Sequence, residues 1–196
     1  LEKPSELVIL GVTFDSKLTF ERHIRTVASS ASQRIGLMRR ALRIFDSAEV
    51  VQHCFRSFML PILEYASVVW SSAAASHLAL LDRIVNRCSH IMNDTLPCSL
   101  DDRRSIAGLC MLFKIRERVG HPLFKCLPVP IRRDRVTRRT ETLHDFAFEP
   151  VRHRTNQYGR SFIPCFVEKW NCLDSAVFAG VGVGSFKSLV NRTKFG

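Results

Sequence analysis

The sequence predicts a mainly α-helical protein with a short β segment at its N-terminus and an irregular, basic region at its C-terminus. Three observations carry this. Glu6 to Phe14 is an apolar run bounded by Pro4 and by Asp15-Ser16, the signature of a strand. From Thr19 to about Val119, apolar residues recur at helical spacing between short polar links, as in a small bundle. After Pro128 that period is lost and arginine dominates. The expected organisation is 1–18 for the β segment, 19–127 for the helical bundle and 128–196 for an Arg-rich arm with a helical end.

In the first helix, Ile24, Val27, Ala28, Ala31, Ile35, Met38 and Leu42 share one side. Arg22, Arg25, Ser29, Ser32, Gly36, Arg40 and Arg43 form a second strip beside them. Arginines spaced by Ser and Gly let a phosphate backbone approach closely, so the strip is a candidate phosphate-facing surface. Its alternative is a solvated helix face. Asp46 with Glu49 makes a capping box for a helix through Val51, Phe55, Phe58 and Met59. Pro61 kinks or restarts it, and "PILEYASVVW" continues at helical spacing. Ser76 caps a helix through Leu78, Leu81, Ile84, Cys88 and Ile91; Ser99 with Asp102 caps "IAGLCMLFKI", which His121-Pro122 ends.

Beyond Pro128, Arg132, Arg133, Arg135, Arg138 and Arg139 concentrate positive charge in a loop or extended arm, with a disordered basic linker as the alternative. Phe162, Phe166 and Trp170 then recur at helical spacing, a pattern of core packing more than of base stacking. "AGVGVGS" reads as a loop, and Ser185 caps a last short helix.

The chain carries Lys+Arg 29 against Asp+Glu 18, a net +11. Arginine supplies 22 of those cations, and residues 99–196 hold 18 basic against 9 acidic side chains. A guanidinium grips phosphate bidentately, so the balance points to a polyanion, nucleic acid first. The seven cysteines lack any C-x-x-C spacing and read as buried thiols in a reducing, intracellular compartment; His121 and Cys126 lack the paired spacing of a zinc site. The longest uncharged run, Tyr65 to Leu81, contains four serines and His77 and is no membrane span. H-E-x-x-H, P-loop and G-x-S-x-G motifs do not occur. Asp101-Asp102 resembles a two-metal carboxylate pair, but it opens a helix and Arg103-Arg104 follow at once. There carboxylates serve the free N–H groups and the positive dipole end, so the pair is rejected as catalytic.

Several stretches in order carry a resemblance over nearly the whole chain: "LGVTFDSKLTFERHI", "PILEYASVVW", "LDRIVNR", "SLDDRRSIAGLCMLFKI", "HPL", "HRTNQYGRSFIPCFVEKWNCL" and "SFKSLV". The set resembles the C-terminal part of jockey-like non-LTR retrotransposon reverse transcriptases. The pattern is departed from at Val68, where Pro is common, and at Asp174, where Pro often follows W-N-x-L. The resemblance implies that the β segment is a remnant of the polymerase palm edge. It implies that the helices are a thumb-like bundle gripping template–primer RNA and DNA, with Arg22, Arg25, Arg40 and Arg43 facing duplex phosphates. The Arg-rich arm, Arg132 to Arg139, and the "RSFIPCFVEKW" helix would belong to a post-thumb region working on RNA or target DNA. The family's catalytic carboxylates are expected upstream of "LGV". The chain is then a non-catalytic fragment of an RNA-directed DNA polymerase, a truncated gene model or degenerate copy. It has no cofactor of its own (magnesium belongs to the complete enzyme), and its partner is the absent palm and fingers. The alternative from a different class is a helical interaction module for an acidic protein.

Overall fold

The computed structural model describes residues 5–45, 47–92, 98–131, 143–180 and 182–195. It is mainly helical, and among the described residues the only sheet is a two-stranded antiparallel one at the N-terminus. The chain divides into two compact units, Leu1–Leu100 and Asp101–Gly196.

In the first unit the expected single strand is a hairpin, β1 (Glu6–Ile9) and β2 (Val12–Asp15), with Ile9 opposite Val12. Leu10 (φ 49°) and Gly11 (φ 81°) both take left-handed backbone. Two such residues make the tight turn whose twist matches paired strands. The Gly inside the apolar run was the signal. Leu10 is held there by the Tyr65 hydroxyl, which donates to its carbonyl at 3.0 Å.

Before α1 (Glu21–Phe45), the Asp15 carboxylate gathers the connecting loop. It accepts from the backbone N–H of Lys17, Thr19 and Phe20 at 2.9, 3.1 and 2.8 Å and from the Thr19 hydroxyl at 3.0 Å. These bonds hold Leu18 and Phe20 at positive φ. Phe20 is thereby buried edge-on against Phe14, 5.5 Å between ring centres. Partial burial alone would raise the Asp15 carboxyl; the hydrogen bonds from Thr19, Phe20 and Lys17 outweigh it and hold the group below its usual value.

The apolar side of α1 is where the sequence placed it: Ile24, Ala31, Ile35 and Met38 are buried and Val27 and Ala28 half-buried. Helices α2 (Ala48–Cys54), α3 (Leu60–Glu64) and α5 (Ala75–Met92) supply the opposing surface. Asp46 lies outside the described residues, and Ser47 is the N-cap of α2. One π-helical turn, Phe55–Met59, joins α2 to α3, closed by the Leu60 N–H bonding the Phe55 carbonyl. A proline lacks its N–H and crowds the preceding turn; the wider turn just before Pro61 relieves this. Phe58, within the π turn, faces solvent, contrary to its place in the apolar pattern.

The helix predicted through "PILEYASVVW" breaks at Tyr65-Ala66, where Ala66 has φ 51°. Chain reversal there lets the buried Trp70 indole N–H donate to the Tyr65 carbonyl at 2.9 Å, and a short α4 (Ser67–Trp70) follows. The next helix begins at Ala75, so Ser76 lies within its first turn; the Ala74 carbonyl accepts from His77 and Leu78 instead.

In the second unit, α6 (Leu100–Glu117) carries buried apolar residues around much of its circumference, among them Ile106, Leu109, Leu112, Phe113 and Ile115. A helix apolar all round is an interior helix. It ends before His121, whose ring Nδ1 accepts from the Leu123 N–H at 3.1 Å and caps a 3-10 turn, Pro122–Cys126. Short α7 (Asn156–Gly159), α8 (Phe162–Asn171), a 3-10 turn (Ser175–Ala179) and α9 (Gly182–Phe195) complete the unit. The last helix begins inside the stretch read as a loop, three residues ahead of Ser185. Asp174, the departure from the family pattern, caps the 3-10 turn by accepting from the Ala176 N–H at 2.8 Å.

Trp170 is the centre of this unit, fully buried. Phe178, Phe186 and Phe148 surround it at ring distances of 4.9, 5.6 and 6.0 Å. Its indole N–H donates to the Phe146 carbonyl at 2.8 Å. The neighbouring Asn171 side chain grips both backbone groups of Phe148, accepting at 2.9 Å and donating at 2.7 Å. Phe148 also bridges antiparallel to Pro130. Asn171 thus stands where another strand would pair.

Candidate nucleic-acid interface

Helix α1 fixes the candidate strip by geometry alone. At about 100° per residue, Arg22, Arg25, Arg40 and Arg43 project on one side and the buried apolar residues on another. All four arginines are exposed, as are Ser29 and Gly36 between them. Gly36 has open space where a side chain would begin.

The strip is not uniform. Arg22 pairs with Glu6 of the hairpin, and Arg25 pairs with Glu21 one turn back at 2.7 Å. Arg40 and Arg43 have no carboxylate partner among the described residues. An exposed ion pair contributes about 0–1 kcal/mol, so phosphate can displace it. The unpaired pair at the C-terminal half of α1 nevertheless offers the stronger field. Arg39, which the sequence reading passed over, is exposed beside them. Its signal was position: it flanks Arg40 one residue before and lies off the apolar side.

Arg132, Arg133, Arg135, Arg138 and Arg139 lie outside the described residues. Asp101 and Asp102 do occupy the first turn of α6, with Asp101 3.8 Å from the buried Arg104 guanidinium. The described residues contain no group of three or more His, Cys, Asp or Glu placed to hold a metal. His121 and Cys126 do not combine either, since the His121 ring caps its own turn and Cys126 is exposed.

The cysteines are all free thiols, and they differ from the buried set expected: only Cys88 is buried, while Cys126 and Cys172 are exposed. Burial pushes the Cys88 thiol up to about 11 against the opposing pull of Arg87, so it is no nucleophile at neutral pH. No described helix is long and apolar enough to cross a membrane.

Comparison with known proteins adds one relationship. Over 100 residues, 48% of this chain, the sequence is 28% identical to a probable RNA-directed DNA polymerase from transposon BS of Drosophila melanogaster. The chain spans 11% of that relative's length. No protein-family model and no solved structure matches it.

Proposed function

We propose that this chain is the thumb and post-thumb part of a non-LTR retrotransposon reverse transcriptase and that it binds template–primer nucleic acid without catalysing synthesis by itself. The observation that carries this is the exposed arginine strip of α1, set apart from the buried apolar side, with no carboxylate partner for Arg40 and Arg43 among the described residues. The similarity to a probable transposon RNA-directed DNA polymerase supports it. On this reading the hairpin is the edge of a palm, and its exposed Leu7, Val8 and Ile9 meet the rest of the enzyme.

The test is fluorescence anisotropy of the full chain with a labelled RNA–DNA duplex across a salt series. Each phosphate contact contributes a slope of about −0.9 in log K against log salt. Arg40→Ala/Arg43→Ala is expected to flatten the slope by nearly two and weaken binding. Arg22→Ala/Arg25→Ala, whose guanidinium groups already have carboxylate partners, should do less. Unchanged affinity in all four would leave the strip a solvated face. Binding of an acidic protein with no response to duplex would favour the interaction-module alternative.

A further inference from the structure

A second basic surface lies in the other unit, on residues the α1 strip does not include. Between Glu149 and Glu168 the sequence has no acidic residue, yet it holds Arg152, Arg154 and Arg160. All three are exposed and lack a carboxylate partner among the described residues. Tyr158, between them, is 50% exposed and has no ring partner among the described residues.

The turn that presents these groups is fixed internally. Thr155 Oγ1 accepts from the Tyr158 N–H at 3.3 Å, the Arg160 N–H bonds the Asn156 carbonyl at 3.1 Å, and the Ser161 hydroxyl donates to the Tyr158 carbonyl at 2.6 Å. Gly159 has no side chain because the His153 ring occupies that space, 2.7 Å from where a Cβ would sit. That contact holds His153, the residue between Arg152 and Arg154, against Gly159, the residue before Arg160.

We propose that this turn is a binding surface for single-stranded nucleic acid, with the Tyr158 ring stacking on a base and Arg152, Arg154 and Arg160 on the flanking phosphates. The chemistry distinguishes the occupant. Phosphate charge would satisfy the arginines in any polyanion, but a bare aromatic face among them suits an unpaired base, whereas a duplex keeps its bases stacked inside. A preset turn also lowers the ordering cost of binding. The proposal extends the nucleic-acid reading to the second unit, but because it uses different residues and a different substrate, each can fail alone.

The experiment measures binding of the full chain to fluorescein-labelled oligo(dT) and to an RNA–DNA duplex. Tyr158→Ala is expected to weaken oligo(dT) binding about 5- to 150-fold, the range of one lost stacking contact, and to leave duplex binding nearly unchanged. Tyr158→Phe, which keeps the ring, should retain affinity. Arg152→Ala/Arg154→Ala/Arg160→Ala should flatten the single-strand salt slope by about two, at about 0.7 per phosphate. Circular dichroism and thermal midpoints of each variant establish that the fold is kept. If Tyr158→Ala binds oligo(dT) like the parent chain while folded, the stacking role is overturned. If the triple variant loses duplex, heparin and oligo(dT) binding in equal measure while Tyr158→Ala has no effect, the surface is a general polyanion face and the proposal fails.

Discussion

Gly108, in the middle of α6, is the position where one added methyl group has the most predictable consequence. A Cβ built there would lie 2.0 Å from Phe166 Cε1 and 2.1 Å from Cζ, where ordinary contacts begin near 3.4 Å. The ring must therefore retreat by more than 1 Å. It is 2% exposed and packed against Phe162 at 5.1 Å between ring centres, so it cannot swing into solvent. Overpacking a core typically costs about 1–3 kcal/mol, and an overlap this deep belongs at the upper end. Replacing Gly by Ala in a helix returns about 1 kcal/mol of propensity. The net expectation for Gly108→Ala is a loss of about 2 kcal/mol. With a urea dependence near 2 kcal/mol per molar, the transition midpoint of the second unit falls by about 1 M. Gly36→Ala is the internal contrast: nothing lies within 4 Å of its Cβ, so the same chemical change should stabilise α1 by up to about 1 kcal/mol. Phe166→Leu in the Gly108→Ala background should recover part of the loss, giving a double-mutant cycle with clear non-additivity. A Gly108→Ala chain as stable as its parent would refute the assigned packing of α6 against α8.

Two further outcomes follow from single side chains. Asn171→Ala removes both hydrogen bonds to the buried Phe148 backbone and leaves that N–H and carbonyl unpaired, so thermal unfolding should register a loss of about 2–4 kcal/mol. His23 is buried, its Nε2 has no hydrogen-bond partner and desolvation depresses its pKa below the usual 6.5. A histidine depressed in the folded state binds protons more readily when unfolded, so stability is full above pH 6.5 and declines as pH falls through the folded value. His23→Leu should flatten that decline between pH 7 and 5 in denaturation curves; an unchanged pH profile would show that another group causes it.

Much of the architecture was legible because it is local. The 3.6-residue period placed the apolar side of α1 on Ile24, Ala31, Ile35 and Met38, and the same period put Arg22, Arg25, Arg40 and Arg43 off it. The Phe166–Trp170 spacing likewise announced a core aromatic pair. What period analysis missed was backbone that departs from both repeats. The hairpin turn at Leu10-Gly11 and the break at Ala66 take left-handed conformations held by side-chain partners, Tyr65, 55 residues on, in one case and Trp70, a few residues on, in the other. The candidate site was legible in kind but not in detail, since a helical wheel gives direction and not partnership. Glu6 is sixteen residues from Arg22, and only folding places them together.

The sequence by itself determined where most helices would fall, which side of α1 would be apolar and where cations would accumulate. Those follow from short-range sterics and from the cost of leaving apolar surface in water. Tertiary structure alone decided which of the α1 arginines are already paired. It also seated Trp170 and Asn171 on the Phe146–Phe148 backbone and turned Tyr158 out between arginines. The Glu6–Arg22 pair and the Trp170 and Asn171 bonds depend on groups sixteen or more residues apart meeting at a few ångströms, and hydrogen bonds and ion pairs act only over that distance.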